Sequence, residues 1–194
     1  TEEEFIKKAR RGQAEAFGSL YDIYLPKIYR FIFLKVSGKE TAEDITHQAF
    51  LRAWQSIRHY EPRGFPFGSW LYRIAHNLVI DHYRAKKTNV SLDLVKEEDT
   101  AVEPENNLDK EWALQKIKSL VPRLPSDQQT VVIMKFVEDL SNEEIAAALN
   151  KNEATIRVLQ HRALKNLKFL TDENGDKNGR SRLVGPSSFE KLRN

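Results

Sequence analysis

Thr155, Arg157, Gln160, His161, Arg162, Lys165 and Lys168 crowd one stretch of the chain at helical intervals. Their hydroxyl, amide, imidazole, guanidinium and ammonium groups suit phosphate oxygens and base edges. The residues just upstream encode a helix, a sharp break and the start of a second helix. Ser141, with Glu144 three places on, forms a capping box before the apolar run Ile145, Ala146, Ala148, Leu149. Asn150-Lys151-Asn152 ends that helix, because Asn tolerates the left-handed backbone that a helix C-terminus often needs. Asn152 is placed to cap the next helix, which starts at Glu153. Two short helices with so tight a turn fit a DNA major groove. DNA binding is therefore the leading expectation.

Residues of other chemistries are missing or badly spaced. There is no Cys, hence no disulfide framework, thiol nucleophile or Cys-based zinc site. His47, His59, His76, His82 and His161 lack metal-ligand spacing. No Gly-rich phosphate loop occurs, and no nucleophile elbow frames a Ser. Asp44 and Asp81 are the best carboxylates for a catalytic pair, but nothing in the pattern joins them. The expectation is a protein that is not an enzyme and that uses no cofactor or metal.

The chain has 194 residues, enough for one or two domains, and a formal net charge of +3. That small total conceals an uneven distribution. Residues 1–88 carry 15 Lys/Arg against 10 Asp/Glu, whereas residues 89–109 carry 1 against 7. Basic segments thus flank an acidic one, which suits a polyanionic partner, although solvated helix surface alone also produces such charge. No apolar run approaches a membrane span, and the start Thr1-Glu2-Glu3-Glu4 is acidic rather than signal-like. A cytoplasmic protein without membrane insertion is expected.

The elements that must position these groups are helical throughout. Phe5, Ile6 and Ala9 suit a first short helix, and Ala16, Phe17, Leu20, Tyr21 and Tyr24 continue at helical spacing. Pro26 begins or kinks the next stretch, which Ser37-Gly38 stops. Thr41 is the expected cap of a third helix, with Asp44 at the box position and the stripe Ile45, Ala49, Ala53, Trp54, Ile57. A loop from His59 to Gly68 leads to a fourth helix over about Ser69 to Lys87, with Trp70, Leu71, Ile74, Ala75, Leu78 and Val79 inward. Further on, Trp112, Ile117 and Leu120 mark a helix before Pro122. Ser126 with Gln129 is expected to cap the next, whose apolar positions are Val131, Val132, Met134, Phe136 and Val137. Ile156, Ala163, Leu164 and Leu167 are expected to pack inside. The fold class is all-α: two small helical domains joined by a flexible acidic linker, the second with the helix-turn-helix. The domains are 1–87 and 108–170, the linker is 88–107, and 171–194 is a tail read as turns or disorder.

Four segments, in order, resemble one family. They are Ala16-Phe17-Gly18-Ser19-Leu20-Tyr21 with Ile28-Tyr29-Arg30-Phe31; Thr41 to Trp54; Phe67-Gly68-Ser69-Trp70-Leu71-Tyr72-Arg73-Ile74-Ala75-His76-Asn77; and Leu124-Pro125 with Gln128, Leu140 to Ala146, and Gln160 to Leu164. Each alone is weak, but the ordered set around an acidic linker is specific. The chain resembles an extracytoplasmic-function (ECF) sigma factor of the sigma-70 superfamily of bacterial RNA polymerase. The likeness runs from Phe5 to Leu170. His47-Gln48 departs from the Gln-Glu pair common in the family, and Asn150 from a common Gly.

The resemblance implies a promoter-specificity subunit that binds core RNA polymerase and directs transcription initiation. Its partners would be the clamp helices of the largest polymerase subunit, the flap region, promoter DNA and an anti-sigma factor. On the third helix, Asp44, Gln48, Leu51, Arg52 and Gln55 become the polymerase face. Tyr60, Phe65 and Phe67 become a pocket for an extruded base of the melted −10 element, with Arg73, His76, Asn77, Arg84 and Lys87 along the fourth helix. Glu153, Thr155, Arg157, Val158, His161, Arg162 and Lys165 become the reader of the −35 duplex. Two other classes fit the residues less fully: a stand-alone DNA-binding regulator, and a helical protein-interaction module whose basic faces only solubilise it. A sigma factor differs from both in acting only with core enzyme.

Overall fold

The computed structural model describes residues 1–62, 64–89 and 119–176, with side chains as far as Lys86 and from Ser119 to Thr171. The described residues are helical, without strands. They divide into two compact units.

The first unit contains α1 (Glu2–Arg10), α2 (Ala14–Phe33), α3 (Lys39–Ser56), a 3₁₀ turn (Ile57–His59) and α4 (Phe67–Asn89). Helix α1 packs on α2, and α2, α3 and α4 pack on one another. Helix α1 opens on a capping box between Thr1 and Glu4 and turns into α2 at Gly12, whose φ is +87°. A Cβ at Gly12 would lie 3.0 Å from the Arg58 guanidinium, so glycine there serves both the turn and the contact. Pro26 neither starts nor ends a helix. It lies inside α2, which is one continuous helix, so of the two roles expected for it the start of a new helix does not occur.

The stripe Leu20, Tyr24, Ile28, Phe31 on α2 is buried at i, i+4, i+8, i+11. Helix α3 meets α2 through the ring pairs Tyr21–Phe50 (4.6 Å) and Phe17–Trp54 (5.1 Å), and its Ala42, Ala49 and Ala53 are fully buried. Phe31 and Tyr72 contact edge to face at 5.5 Å between centroids, joining α2 to α4. Helix α3 begins at Lys39 on Gly38, which has φ 92°, and has no side-chain cap; the capping assigned to Thr41 and Asp44 is therefore corrected. Because Gly38 turns the chain directly into the helix, Thr41 and Asp44 sit within its first two turns.

The described part of the second unit opens on the helical residues Ser119 and Leu120, followed by a 3₁₀ turn (Val121–Arg123). Then come α5 (Ser126–Val132), a π-helical turn (Ile133–Val137), α6 (Asn142–Leu149) and α7 (Glu153–Asp176). Ser126 is not the cap of α5; the chain enters through Pro125 without a side-chain cap. Gln129 instead donates through Nε2 to the carbonyls of Leu124 (2.8 Å) and Pro122 (3.3 Å), closing the preceding turn. Val131, Val132, Ile133 and Met134 are all fully buried. Four consecutive buried residues need an element enclosed on all sides, and α5 with its π turn forms the centre of this unit. Helix α7 continues through Asn174-Gly175 to Asp176, where turns were expected. The linker 88–107, Trp112 and Ile117, and the tail beyond Asp176 fall outside the described residues, except that Thr88 and Asn89 end α4.

Candidate nucleic-acid and protein interfaces

Local chemistry sets the angle between α6 and α7. The backbone N–H of Ser141 donates to Glu144 Oε2 (2.7 Å), and the N–H of Glu144 donates to Ser141 Oγ (3.1 Å). At the far end of α6, Asn150 takes φ 52° and the Lys151 N–H donates to the Ala146 carbonyl (3.0 Å), a left-handed C-terminal closure. Asn152 Oδ1 then accepts from both the N–H and the hydroxyl of Thr155, each at 2.8 Å. The capping box, the break and the second cap thus stand where the sequence puts them.

Helix α7 leaves Arg157, Val158, His161, Arg162 and Lys165 exposed, with Glu153 and Thr155 half-buried. Ile156, Ala163 and Leu167 are buried as expected, but Leu164 is 40% exposed. One residue beyond Ala163 is a rotation of about 100°, which carries Leu164 out of the packed stripe. Three of the expected duplex-reading residues, Glu153, Thr155 and Arg157, have partners within the chain. Arg157 Nη2 bonds Glu153 Oε2 at 2.8 Å, and the Thr155 hydroxyl serves its cap. The sequence reading passed over two amide pairs. Gln160 Nε2 donates to Asn142 Oδ1 (2.7 Å), and Asn166 Nδ2 donates to Gln128 Oε1 (2.9 Å). Lys135, also overlooked, donates through Nζ to the Leu140 carbonyl (3.1 Å), tying the π turn to the start of α6.

In the first unit α3 carries Asp44, Gln48, Leu51, Arg52 and Gln55 to the surface, all exposed. Leu51 is 55% exposed, an apolar group on an otherwise polar face. Arg73, Asn77 and Arg84 are exposed at i, i+4 and i+11 of α4, and His76 is half-buried beside them. Lys87 lies in α4, and its side chain is outside the described set.

The expected aromatic pocket is corrected. Tyr60 and Phe67 are 6% and 2% exposed and belong to the core. Tyr60 meets Phe67 edge-on at 5.5 Å and Trp70 at a tilt at 4.9 Å, and Tyr24 meets Phe67 edge-on at 5.5 Å. Those ring contacts occupy surfaces that a base would need. Phe65 alone of the three stays open, at 40% exposure. Tyr60 acts on the loop indirectly, its hydroxyl donating to the Phe65 carbonyl (3.4 Å). Beneath the loop, Tyr24 donates to Glu2 Oε1 (2.9 Å), so α1 braces the entry to α4. Burial, then the Glu2 charge, raises the Tyr24 phenol above its usual value and keeps it neutral. A Cβ on Gly68 would meet the Tyr24 ring at 3.0 Å, so glycine there permits the close approach.

No helix among the described residues is long and apolar enough to cross a membrane. The same residues contain no group of three or more His, Cys, Asp or Glu able to hold a metal ion.

Residues 20–88 match the profile of Sigma-70 region 2, and residues 114–167 match that of Sigma-70, region 4. The chain is 32% identical over 177 residues to the ECF RNA polymerase sigma factor SigW of Bacillus subtilis, covering 84% of this chain and 92% of SigW. The chain belongs to the ECF sigma factors of the sigma-70 family. A second relative, the ECF sigma factor BldN of Streptomyces coelicolor, is 36% identical over 174 residues, 88% of this chain and 66% of BldN. Among solved structures, the sigma factor RpoE from Bartonella quintana, crystallised with the anti-sigma factor NepR, superposes with a TM-score of 0.69 at 25% identity. That match covers 80% of this chain and 96% of RpoE. As a sigma factor the protein is a non-enzymatic subunit that directs RNA polymerase to promoters and to transcription initiation. Sigma factors bind core RNA polymerase and promoter DNA.

Proposed function

We propose that the two units divide promoter recognition between them. The second unit reads the −35 element as duplex. Helix α7 presents Arg157, Val158 and His161 to base edges, while Arg162 and Lys165 hold phosphates. The single observation that carries this assignment is the double-capped turn from Asn150 to Asn152, which frees the start of α7 to enter a groove.

The first unit docks on the clamp helices of the largest polymerase subunit through α3. Asp44, Gln48 and Gln55 pair with basic groups there, and Leu51 adds an apolar contact. Helix α4 takes the melted −10 strand along the stripe Arg73, Asn77, Arg84. Asn77 reads a base edge, because its amide both donates and accepts. Phe65 supplies the stacking surface in place of the three-ring pocket. Residues 1–87 thus form the −10 and polymerase domain, 108–170 the −35 domain, which also meets the flap region, and 88–107 the acidic tether. A cytoplasmic location follows from this role. An anti-sigma factor is a further partner, in line with the RpoE–NepR complex.

Run-off transcription with purified core polymerase and a genomic promoter library tests the whole reading. Addition of the protein is expected to select a narrow class of start sites sharing two elements. Initiation no more selective with the protein than without it rejects the proposal.

A further inference from the structure

From the geometry of α7 we infer that the amide pairs Gln160–Asn142 and Asn166–Gln128 set the rotation of this helix about its own axis. They are thereby positioning residues for the choice of DNA sequence. The inference rests on the reading of α7 as the duplex-reading helix.

The packed stripe of α7 is thin. Among its described side chains Ile156, Ala163 and Leu167 are buried, with the smallest of them in the middle, and Leu159 and Leu170 are half-buried. Apolar contact is non-directional and resists a small roll weakly. At about 100° per residue, Gln160 and Asn166 fall about 60° to either side of Ala163. Val158, His161 and Lys165 fall on the opposite face. Each flanking amide reaches a different element: Gln160 reaches Asn142 at the start of α6 (2.7 Å), and Asn166 reaches Gln128 in α5 (2.9 Å). Both bonds are part-buried; Gln128 is 9% exposed, and Asn166 reaches it from an exposed position.

Two directional bonds on opposite flanks oppose roll in either sense, as two guy ropes hold a mast. The consequence lies at the tips of the exposed side chains. A roll of about 20° moves a tip about 6 Å from the axis by about 2 Å. A base-edge hydrogen bond tolerates only a few tenths of an ångström. Contacts to phosphates through long, flexible Lys and Arg side chains survive such a shift. Loss of the pairs therefore degrades discrimination between sequences more than affinity for DNA as such.

The bond between Gln160 and Asn142 can be removed with little change of shape. Asn142→Asp leaves an acceptor for the Gln160 amide, and Gln160→Glu leaves an acceptor for the Asn142 amide once that amide is turned. The double variant has two carboxylates and no donor. Full-length protein, assembled with core polymerase, is measured on a promoter recovered by the wild-type holoenzyme from a randomised library. The comparison duplex has a scrambled −35 element. Each single variant is expected to keep the matched-to-scrambled affinity ratio within about twofold. The double variant is expected to lose about tenfold of that ratio, the worth of about one good base contact. Added negative charge weakens binding to both duplexes alike and cancels in the ratio. Gln160→Leu, which removes the donor without adding charge, is expected to lose the ratio similarly while still assembling with core enzyme. The inference is overturned if Gln160→Leu and the double variant keep the wild-type ratio, or lose affinity for both duplexes equally, as a merely structural role requires. A wild-type holoenzyme without any −35 preference removes the reading of α7 itself, and this inference with it.

Discussion

Arg52 on α3 and Asp81 on α4 face one another across 3.9 Å, and the second carboxylate oxygen of Asp81 lies 3.7 Å from Arg84. A residue of the proposed polymerase face and a residue of the proposed DNA stripe thus share one anion. All three side chains are more than half exposed, so the pairs add little to stability, about 0–1 kcal/mol. Their effect on DNA is larger, because the Asp81 carboxylate repels the phosphates that Arg84 attracts. Asp81→Asn is expected to leave the melting temperature nearly unchanged and to tighten promoter binding by the holoenzyme about threefold at low salt. The gain should fade as salt rises, and a salt titration of affinity checks it.

Charge reversal at Asp44 is expected to weaken assembly with core polymerase about tenfold or more, through repulsion of a basic partner. The side chain is exposed and caps nothing, so the helical circular dichroism and melting temperature should be those of the wild type. Quantitative pulldown of Asp44→Arg with core enzyme is the measurement, and unchanged assembly removes α3 from the interface.

Asn77→Ala separates melting from docking. Its amide is exposed on α4 and lies outside the duplex-reading unit. Open-complex formation, followed by permanganate reactivity of unpaired thymines, is expected to fall about tenfold, while closed-complex affinity changes by less than about twofold. Equal loss in both assays contradicts the assignment.

Arg157 is held by Glu153 at 2.8 Å, one turn away, and stays exposed. Arg157→Ala is expected to cost about 1–3 kcal/mol of discrimination at one base pair of the −35 element. Affinities for a panel of single-base variants of that element provide the check. A uniform loss across the panel makes Arg157 a phosphate contact.

Ser141 and Glu144 satisfy each other's backbone donors at the start of α6. Ser141→Ala is expected to destabilise the protein by about 1 kcal/mol, within the usual range for a lost helix cap. Chemical denaturation followed by circular dichroism measures this. The same variant should leave core-polymerase assembly through α3 intact.

Much of this molecule is legible from neighbours along the chain. Ser141 with Glu144, Asn150 in its left-handed turn and Asn152 before Thr155 act over four residues or fewer, and each stands as read. Helical periodicity also identifies the buried stripes, because i, i+3 and i+4 residues share a face whatever that face packs on. The misreadings are informative in the same way. Thr41 and Ser126 carry the right cap chemistry, but Gly38 and Pro125 bring the chain in one helical turn or less ahead of them.

What residues distant in sequence do to one another lay beyond such reading. An aromatic side chain has the same propensities whether it stacks on a base or on a neighbouring ring. Only the meeting of α2, the loop and α4 put Tyr60 and Phe67 in the core and left Phe65 outside. Gln160 and Asn142 are 18 residues apart, and Asn166 and Gln128 are 38 apart. No local pattern pairs an amide with a partner at that separation. The sequence by itself determined the helical fold class, the caps at Ser141, Asn150 and Asn152 and the family of this protein, since these depend on contacts within a few residues and on ordered motifs. Tertiary packing decided which polar groups are spent on one another and which remain for DNA and polymerase, because a hydrogen bond is directional and its partner is chosen in space.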